Sequence, residues 1–248
     1  MADARRNLRL VIAYAGTSYA GWQIQPNAPT VQGTIERRLA QMTGQPCRLR
    51  AAGRTDAGVH AAGQVANFTT ESRITCRAFL RGLNALLPDD VSILSVEEVP
   101  PEFDSRRHNK GKYYRYTIWN TRPPSPRLAA TTYHLHRALD LIPMAEAARA
   151  LVGTHDFVAF RSASCERETT VRTLYRCTVS ADGPLVEIHV EGTAFLKNMV
   201  RVIAGTLIEV GRGLRPPGSL PGLLADGDRR RAGITAPACG LTLVRVML

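Results

Sequence analysis

"CRLRAAGRTDAGVHAAGQVANFTT", residues 47–70, holds two stretches of strand-like alternation with a run of small residues between them. In "CRLRAAG" and "GQVANFTT" the period is two, which sends successive side chains to opposite faces of a strand. Immediately before them, "TVQGTIERRLAQMTG" (30–44) switches to helical spacing: Val31, Ile35, Leu39 and Met42 fall on one side, Thr30 is a candidate cap and Gly44 a stop. Working outward, "NLRLVIAY" (7–14) predicts a first strand and "CRAFLRGLNALLP" (76–88) a second helix. That helix carries Phe79, Leu80, Leu83, Leu86 and Leu87 on one side, with Pro88 beyond its end. "VSILSVEEV" (91–99) closes the series as a strand. The order β-α-β-β-α-β is ferredoxin-like.

The second half repeats it. "KYYRYTIW" (112–119) predicts a strand and "IPMAEAARALVG" (142–153) a helix with Pro143 in its first turn and Gly153 after it. "TLYRCTVSA" (173–181) and "LVEIHVEG" (185–192) predict two strands around the turn "DGP". "AFLKNMVRVIAGTLIEVG" (194–211) predicts a long helix and "GLTLVRVML" (240–248) a last strand. The expectation is an α+β protein of two tandem ferredoxin-like βαββαβ units, residues 1–104 and 105–248, sharing a mostly antiparallel sheet. The polar, basic segment "EFDSRRHNKGK" (102–112) is the joint, and "GLRPPGSLPGLLADGDRRRAG" (213–233) a surface loop.

The totals narrow the partners. At 248 residues, 44% hydrophobic and 21% charged, the chain can bury a core. Its 32 Lys and Arg against 21 Asp and Glu leave a formal charge of +11, which calls for a polyanionic partner, nucleic acid before an acidic membrane surface. No apolar run approaches the roughly 20 residues of a spanning helix. "MADARRNLRLVIAY" moves from basic residues straight into alternation, without the apolar core of a signal peptide. Five cysteines, none in a C-x-x-C pair, argue for reduced thiols in a cytoplasm rather than a disulfide framework or zinc site. His134 and His136 stand two apart, but no further ligand completes a metal set. There is no Walker-type glycine loop and no G-x-G-x-x-G, and no metal is expected.

"GRTDAGVHA" (53–61) lies in the connection between the second and third strands. Its glycines, with Gly63, permit backbone angles or close approaches that other residues resist. Asp56, two residues from Arg54, is a carboxylate among small neighbours; a turn Asp bonding its own backbone would look the same. Taken whole, the string resembles the TruA family of tRNA pseudouridine synthases, where it surrounds the catalytic aspartate. The resemblance covers nearly the whole chain, in order: "YAGTSYAGWQIQPNAPTVQGTIE", "LNALLPDDV", "KYYRYTIWN", "LVGTHDFVAF", "FLKNMVRVIAGTLIEVG" and "APACGLTLVRV". Two departures are Ala15 in "YAGT", where the family usually has Asp, and Ser105 in "FDSR", where it usually has Ala. Neither is a catalytic position, so they bear on packing or RNA contacts.

The resemblance implies the pseudouridine synthase fold and a cofactor-independent isomerisation of uridine to pseudouridine at positions 38, 39 and 40 of the tRNA anticodon stem-loop. It makes Asp56 the nucleophile or base, a choice the sequence leaves open, and Arg201 the cation that holds it ionised. Helical phase sets Arg201 with Lys197 and Asn198 opposite the apolar side, where a solvated arginine and the wall of a cleft look alike. Tyr114 is identified as the ring that stacks on the uracil, although a strand aromatic is ordinarily core. Leu241 corresponds to the apolar wall of that pocket, and Arg54 is a candidate for the flipped nucleotide's phosphate or its vacated place. His60 fits a structural or RNA-contacting role. Candidate phosphate contacts are Arg48, Arg50, Arg106, Arg107 and Lys110, with the run Arg229 to Arg231. The family also implies a homodimer with tRNA across both subunits. The alternative, a non-catalytic RNA-binding protein of tandem RRM-like units, needs an aromatic string on its third strand. "GQVANFTT" offers only Phe68 and "LVEIHVEG" no aromatic.

Overall fold

A computed structural model describes residues 5–165 and 168–248. The chain divides into two compact units, one reaching to Lys110 and taking in Leu243–Leu248, the other spanning Gly111–Thr242.

In the first unit the elements are β1 (Arg6–Tyr14), α1 (Val31–Thr43), β2 (Arg50–Ala51), β3 (His60–Thr70), α2 (Cys76–Leu86) and β4 (Val91–Val99). Their sheet runs β4-β1-β3 with β2 on the far side of β3, and every pairing is antiparallel, the ferredoxin-like arrangement. Both helices begin where the sequence places a cap. Thr30 accepts from the backbone N–H of Gly33 and Thr75 from that of Ala78, while Gly44, at φ 72°, ends α1. Alternation along β1 buries Leu8, Leu10 and Ile12 completely, with Val31, Ile35 and Leu39 of α1 and Phe79 and Leu83 of α2 also fully buried in this unit. Phe68 and Phe79 meet edge to face, ring centroids 5.7 Å apart. The expected second strand survives only as two residues; the rest of "CRLRAAG" lies outside any strand.

A buried amide network fastens the end of this unit. Asn67 on β3 donates through Nδ2 to Asn7 Oδ1 at 3.0 Å and to the Phe103 carbonyl at 3.2 Å. Its Oδ1 accepts both the backbone N–H of Ser105 (3.0 Å) and the Ser105 hydroxyl (2.8 Å). Ser105 is fully buried. The departure at this position is therefore a packing feature, a second donor to an amide oxygen.

The second unit contains β5 (Gly111–Trp119), β6 (Tyr133–His134), α3 (Leu141–Arg149), β7 (Gly153–Asp156), β8 (Val171–Asp182), β9 (Leu185–Gly192), α4 (Met199–Gly211) and α5 (Leu220–Asp226). Its strands run β5-β9-β8-β7 antiparallel, and β6 adds to β5 in parallel. α3 is capped by Asp140, whose carboxylate accepts from the N–H of Ile142 at 3.1 Å. The last strand, β10 (Leu241–Met247), starts in this unit, and from Leu243 onward its residues pack with the first, beside β3.

α4 departs from expectation in two ways. It begins at Met199 rather than Ala194, because Asn198 adopts a left-handed conformation (φ 62°), which asparagine tolerates and which a helix cannot include. It is also buried nearly all round, only Arg201 and Glu209 keeping partial exposure. The residues ahead of it are thereby released from the helix, and Phe195 packs edge-on against Tyr114 at 5.1 Å.

Candidate active site

Asp56 sits half-buried in the connection from β2 to β3, with buried Thr55 before it and exposed Ala57 after. The connection is held by the segment that follows β1. Trp22 donates its N–H to the Thr55 carbonyl at 3.1 Å, and Gly58 donates to the Tyr19 carbonyl at 3.3 Å. Val59 closes a turn on the Asp56 carbonyl at 3.1 Å. The Tyr14 hydroxyl and Thr55 Oγ1 lie 2.7 Å apart in a buried hydrogen bond. Burial pushes the Tyr14 phenol up to about 12, so it stays protonated across the working range of an ordinary enzyme. Gln64 donates to the Gly53 carbonyl at 2.9 Å.

Gly21 allows this approach. Its φ is +98°, and a Cβ there would stand 2.7 Å from the Thr55 carbonyl oxygen. "YAGTSYAGW" and "GRTDAGVHA" thus pack backbone to backbone, with the carboxylate at their edge. His60 is buried and accepts from the Gly16 N–H through Nδ1 at 3.1 Å, a bond that fastens the same two segments. Arg54 is exposed beside them.

Within the second unit, Tyr114 is buried on β5, braced by Phe195. Arg201 is held at two points: Nε donates to the Ala236 carbonyl at 2.7 Å and Nη1 to Asn198 Oδ1 at 3.1 Å. It is not the freely solvated arginine that helical phase alone allows. Ala236 returns a bond from its N–H to the Arg201 carbonyl at 3.1 Å. The chain from 233 to 240 is a strap along α4, admitted because Gly205 has no side chain; a Cβ there would meet the Ile234 carbonyl at 1.9 Å. Gly233 donates to Thr206 Oγ1 at 2.9 Å, and the buried Tyr116 hydroxyl donates to the Pro237 carbonyl at 2.9 Å. Desolvation drives the Tyr116 phenol far above its ordinary value. Leu241, buried, follows directly after the strap.

The sequence singles out Asp56, Tyr114, Arg201 and Leu241 but not their supports. Tyr14, Gly21 and Thr55 in the first unit and Tyr116 and Asn198 in the second have no motif-independent signal. Most of them act through a partner distant in sequence.

The basic candidates of the first unit are exposed and partly matched. Arg48 stands 3.6 Å from Glu36 and Arg50 3.6 Å from Asp104. Asp104 Oδ1 also accepts from the N–H groups of Arg106 and Arg107, whose side chains are exposed. Lys110 donates through Nζ to the Leu248 carbonyl at 3.2 Å. In the 229–231 run, Arg230 pairs with Asp228 at 2.9 Å, Arg231 with Asp226, and Arg229 donates to the carbonyl of Gly233. Among the described residues no group of three His, Cys, Asp or Glu side chains is placed to hold a metal ion, and no helix is long and apolar enough to cross a membrane.

A family model described as tRNA pseudouridine synthase matches residues 10–106 and 147–247. Among curated relatives, tRNA pseudouridine synthase A of Geotalea uraniireducens is 52% identical over 241 residues, covering 97% of this chain and 99% of the relative. Its counterpart in Geotalea daltonii is 50% identical over the same share of both chains. That of Myxococcus xanthus is 46% identical over 240 residues, 96% of this chain and 91% of the relative.

Proposed function

The chain belongs to the tRNA pseudouridine synthase family and isomerises uridine to pseudouridine in tRNA; we propose that Asp56 opens this reaction, at uridines 38, 39 and 40 of the anticodon stem-loop. In the isomerisation the N1–C1′ bond breaks, C5 bonds to C1′, the C5 proton leaves and N1 gains one. Nothing is oxidised and no group is lost, so the chemistry calls for no cofactor. An ionised carboxylate can begin it as nucleophile, toward sugar or base, or as base toward a sugar proton.

The observation that carries this reading is the setting of Asp56. Its loop is fixed by backbone bonds to the 14–22 segment, the flanking residues are small, and the carboxylate is half-exposed where a flipped nucleotide can approach. Tyr114 is assigned to stacking on the uracil and to assisting proton transfer, with Leu241 as an apolar wall. Arg201, already oriented by Asn198 and Ala236, supplies the positive charge that keeps the reacting carboxylate ionised. Arg54 takes the flipped nucleotide's phosphate or its vacated place. Arg48, Arg50, Arg106, Arg107 and Lys110 engage other phosphates. The same reading makes the protein a cytoplasmic homodimer.

The test is pseudouridine mapping on a tRNA transcript carrying uridines at 38, 39 and 40, with wild type and Asp56→Ala. Conversion by wild type at those positions, lost in the variant while tRNA binding persists, is the expected result. Residual conversion by Asp56→Ala at more than a thousandth of the wild-type rate would remove Asp56 from the opening role, and conversion elsewhere would move the target positions.

A further inference from the structure

A second basic feature involves none of the residues assigned above. Where β5 ends, the loop 120–122 and the chain 136–138 enclose a concavity of about 770 Å³ lined by Asn120, Thr121, Arg122, His136, Arg137 and Ala138. No carboxylate is among these residues. Elsewhere on this protein, arginines are commonly matched: Arg6 with Glu98 at 2.8 Å, Arg176 with Glu191 and Arg215 with Glu209 at 2.9 Å. The neighbouring acid, Asp140, is turned to the N-terminus of α3. Two guanidinium groups and an imidazole therefore share a hollow whose own lining supplies no anion.

The rim is rigid. Asn120 donates through Nδ2 to the carbonyls of Leu135 (2.9 Å) and Arg137 (2.7 Å), and its Oδ1 accepts from the N–H of Leu139 at 3.0 Å. His134 Nε2 bonds the Thr121 carbonyl at 2.9 Å, Trp119 Nε1 donates to the Pro123 carbonyl at 3.0 Å, and the N–H of Leu135 reaches the Trp119 carbonyl at 3.0 Å. One asparagine thus fastens both sides of the hollow, and little loop entropy is left to lose when an anion enters. Exposed cations on a fixed backbone, with donors of planar geometry, suit a phosphate oxygen pair.

We propose that this hollow is a phosphate-binding site for the sugar–phosphate backbone of the substrate tRNA, held by Arg122 and Arg137. From Tyr114 to Trp119 the extended strand carries the chain about 17 Å. The phosphate bound here therefore belongs to a nucleotide other than the one on which Tyr114 acts, and the site serves binding rather than chemistry. This inference rests on tRNA being the substrate.

Its test is Arg122→Gln/Arg137→Gln, both exposed positions, beside a control of equal charge change, Arg81→Gln/Arg149→Gln, also exposed. Steady-state conversion and the salt dependence of tRNA binding are measured for each. The site predicts a KM raised several-fold with kcat unchanged, and a slope of log affinity against log salt shallower by about two, one for each phosphate no longer neutralised. The control keeps the wild-type KM and a slope closer to wild type. Equal effects in both pairs would reduce the result to overall charge and overturn the site, as would a wild-type KM in the first pair. Failure of wild type to convert the transcript at all would instead sink the assignment of tRNA as substrate.

Discussion

Gly21 shows how much of this enzyme depends on a residue with no side chain. Its φ of +98° and the 2.7 Å that would separate a Cβ from the Thr55 carbonyl mean that alanine must shift the segment just before Asp56. Left-handed strain and the steric clash together predict a loss of ~2 kcal/mol for Gly21→Ala, read from the denaturant midpoint. Conversion should fall further than tRNA binding if the displaced group is the one proposed to react; an unchanged kcat would show that the loop tolerates the shift. Asp56 and Arg54 stand in the string whose resemblance marks a catalytic aspartate, whereas Gly21, though inside a quoted string too, matters through a partner far along the chain, Thr55. Ser105 is a milder case. The sequence marks it as a departure, and only the structure supplies Asn67 as the reason.

Among the elements, α4 and the strap beside it diverge furthest from what spacing suggests. Spacing found the helix and its C-terminal end, but placed its start at Ala194 rather than Met199, since a single asparagine in the left-handed region leaves no periodic trace. Periodicity also left the exposure of Arg201 open. An amphipathic wheel assumes one solvent face, and here the strap lies against Gly205 and Thr206 and bonds Arg201. The strap is fixed at one end by Gly205 and Thr206, at the other by Tyr116, with Arg201 between. Tyr116→Phe leaves the Pro237 carbonyl without its donor, a cost of ~1–3 kcal/mol in folding stability. If the strap orients Arg201, the variant will also lower kcat more than it raises KM, and combining it with Arg201→Lys will cost less than the two separately. Additive losses would make Tyr116 a packing residue only. The short β2 was overestimated for a related reason: alternation in "CRLRAAG" describes which side chains are exposed, whether or not ladder bonds form.

At the scale of the whole molecule, composition pointed to the class of partner before any motif did, because a charge of +11 is costly unless a polyanion shares it. The same charge makes acidification worth measuring. His189 on β9 bonds Tyr113 at 2.8 Å and Ser180 at 2.9 Å, and is faced by Glu187, Glu191, Arg115 and Arg176. Burial wins over the attraction of Glu187, so the imidazole of the folded chain titrates below its ordinary 6.5. Below about 6.5 the unfolded chain takes up this proton before the folded one, so folding stability falls as pH drops from there through the folded value. Above about 6.5 the contribution is complete. Denaturation midpoints between about pH 8 and 5 should decline in wild type and decline less in His189→Gln; parallel curves would assign the acid sensitivity elsewhere.

The two compact units do not follow the chain in simple succession, and this bears on synthesis. Residues 243–248 pack with the first unit, beside β3, and the Met247 carbonyl accepts the N–H of Lys110 at 2.8 Å. A ribosome delivers those residues only after all of the second unit. Until then β3 of the nascent first unit has, beyond its short pairing with β2, backbone donors and acceptors still waiting for a strand. The loop bearing Asp56 leads directly into that strand. The strand that this loop enters therefore gains its later neighbour only after residues 111–242 have been made.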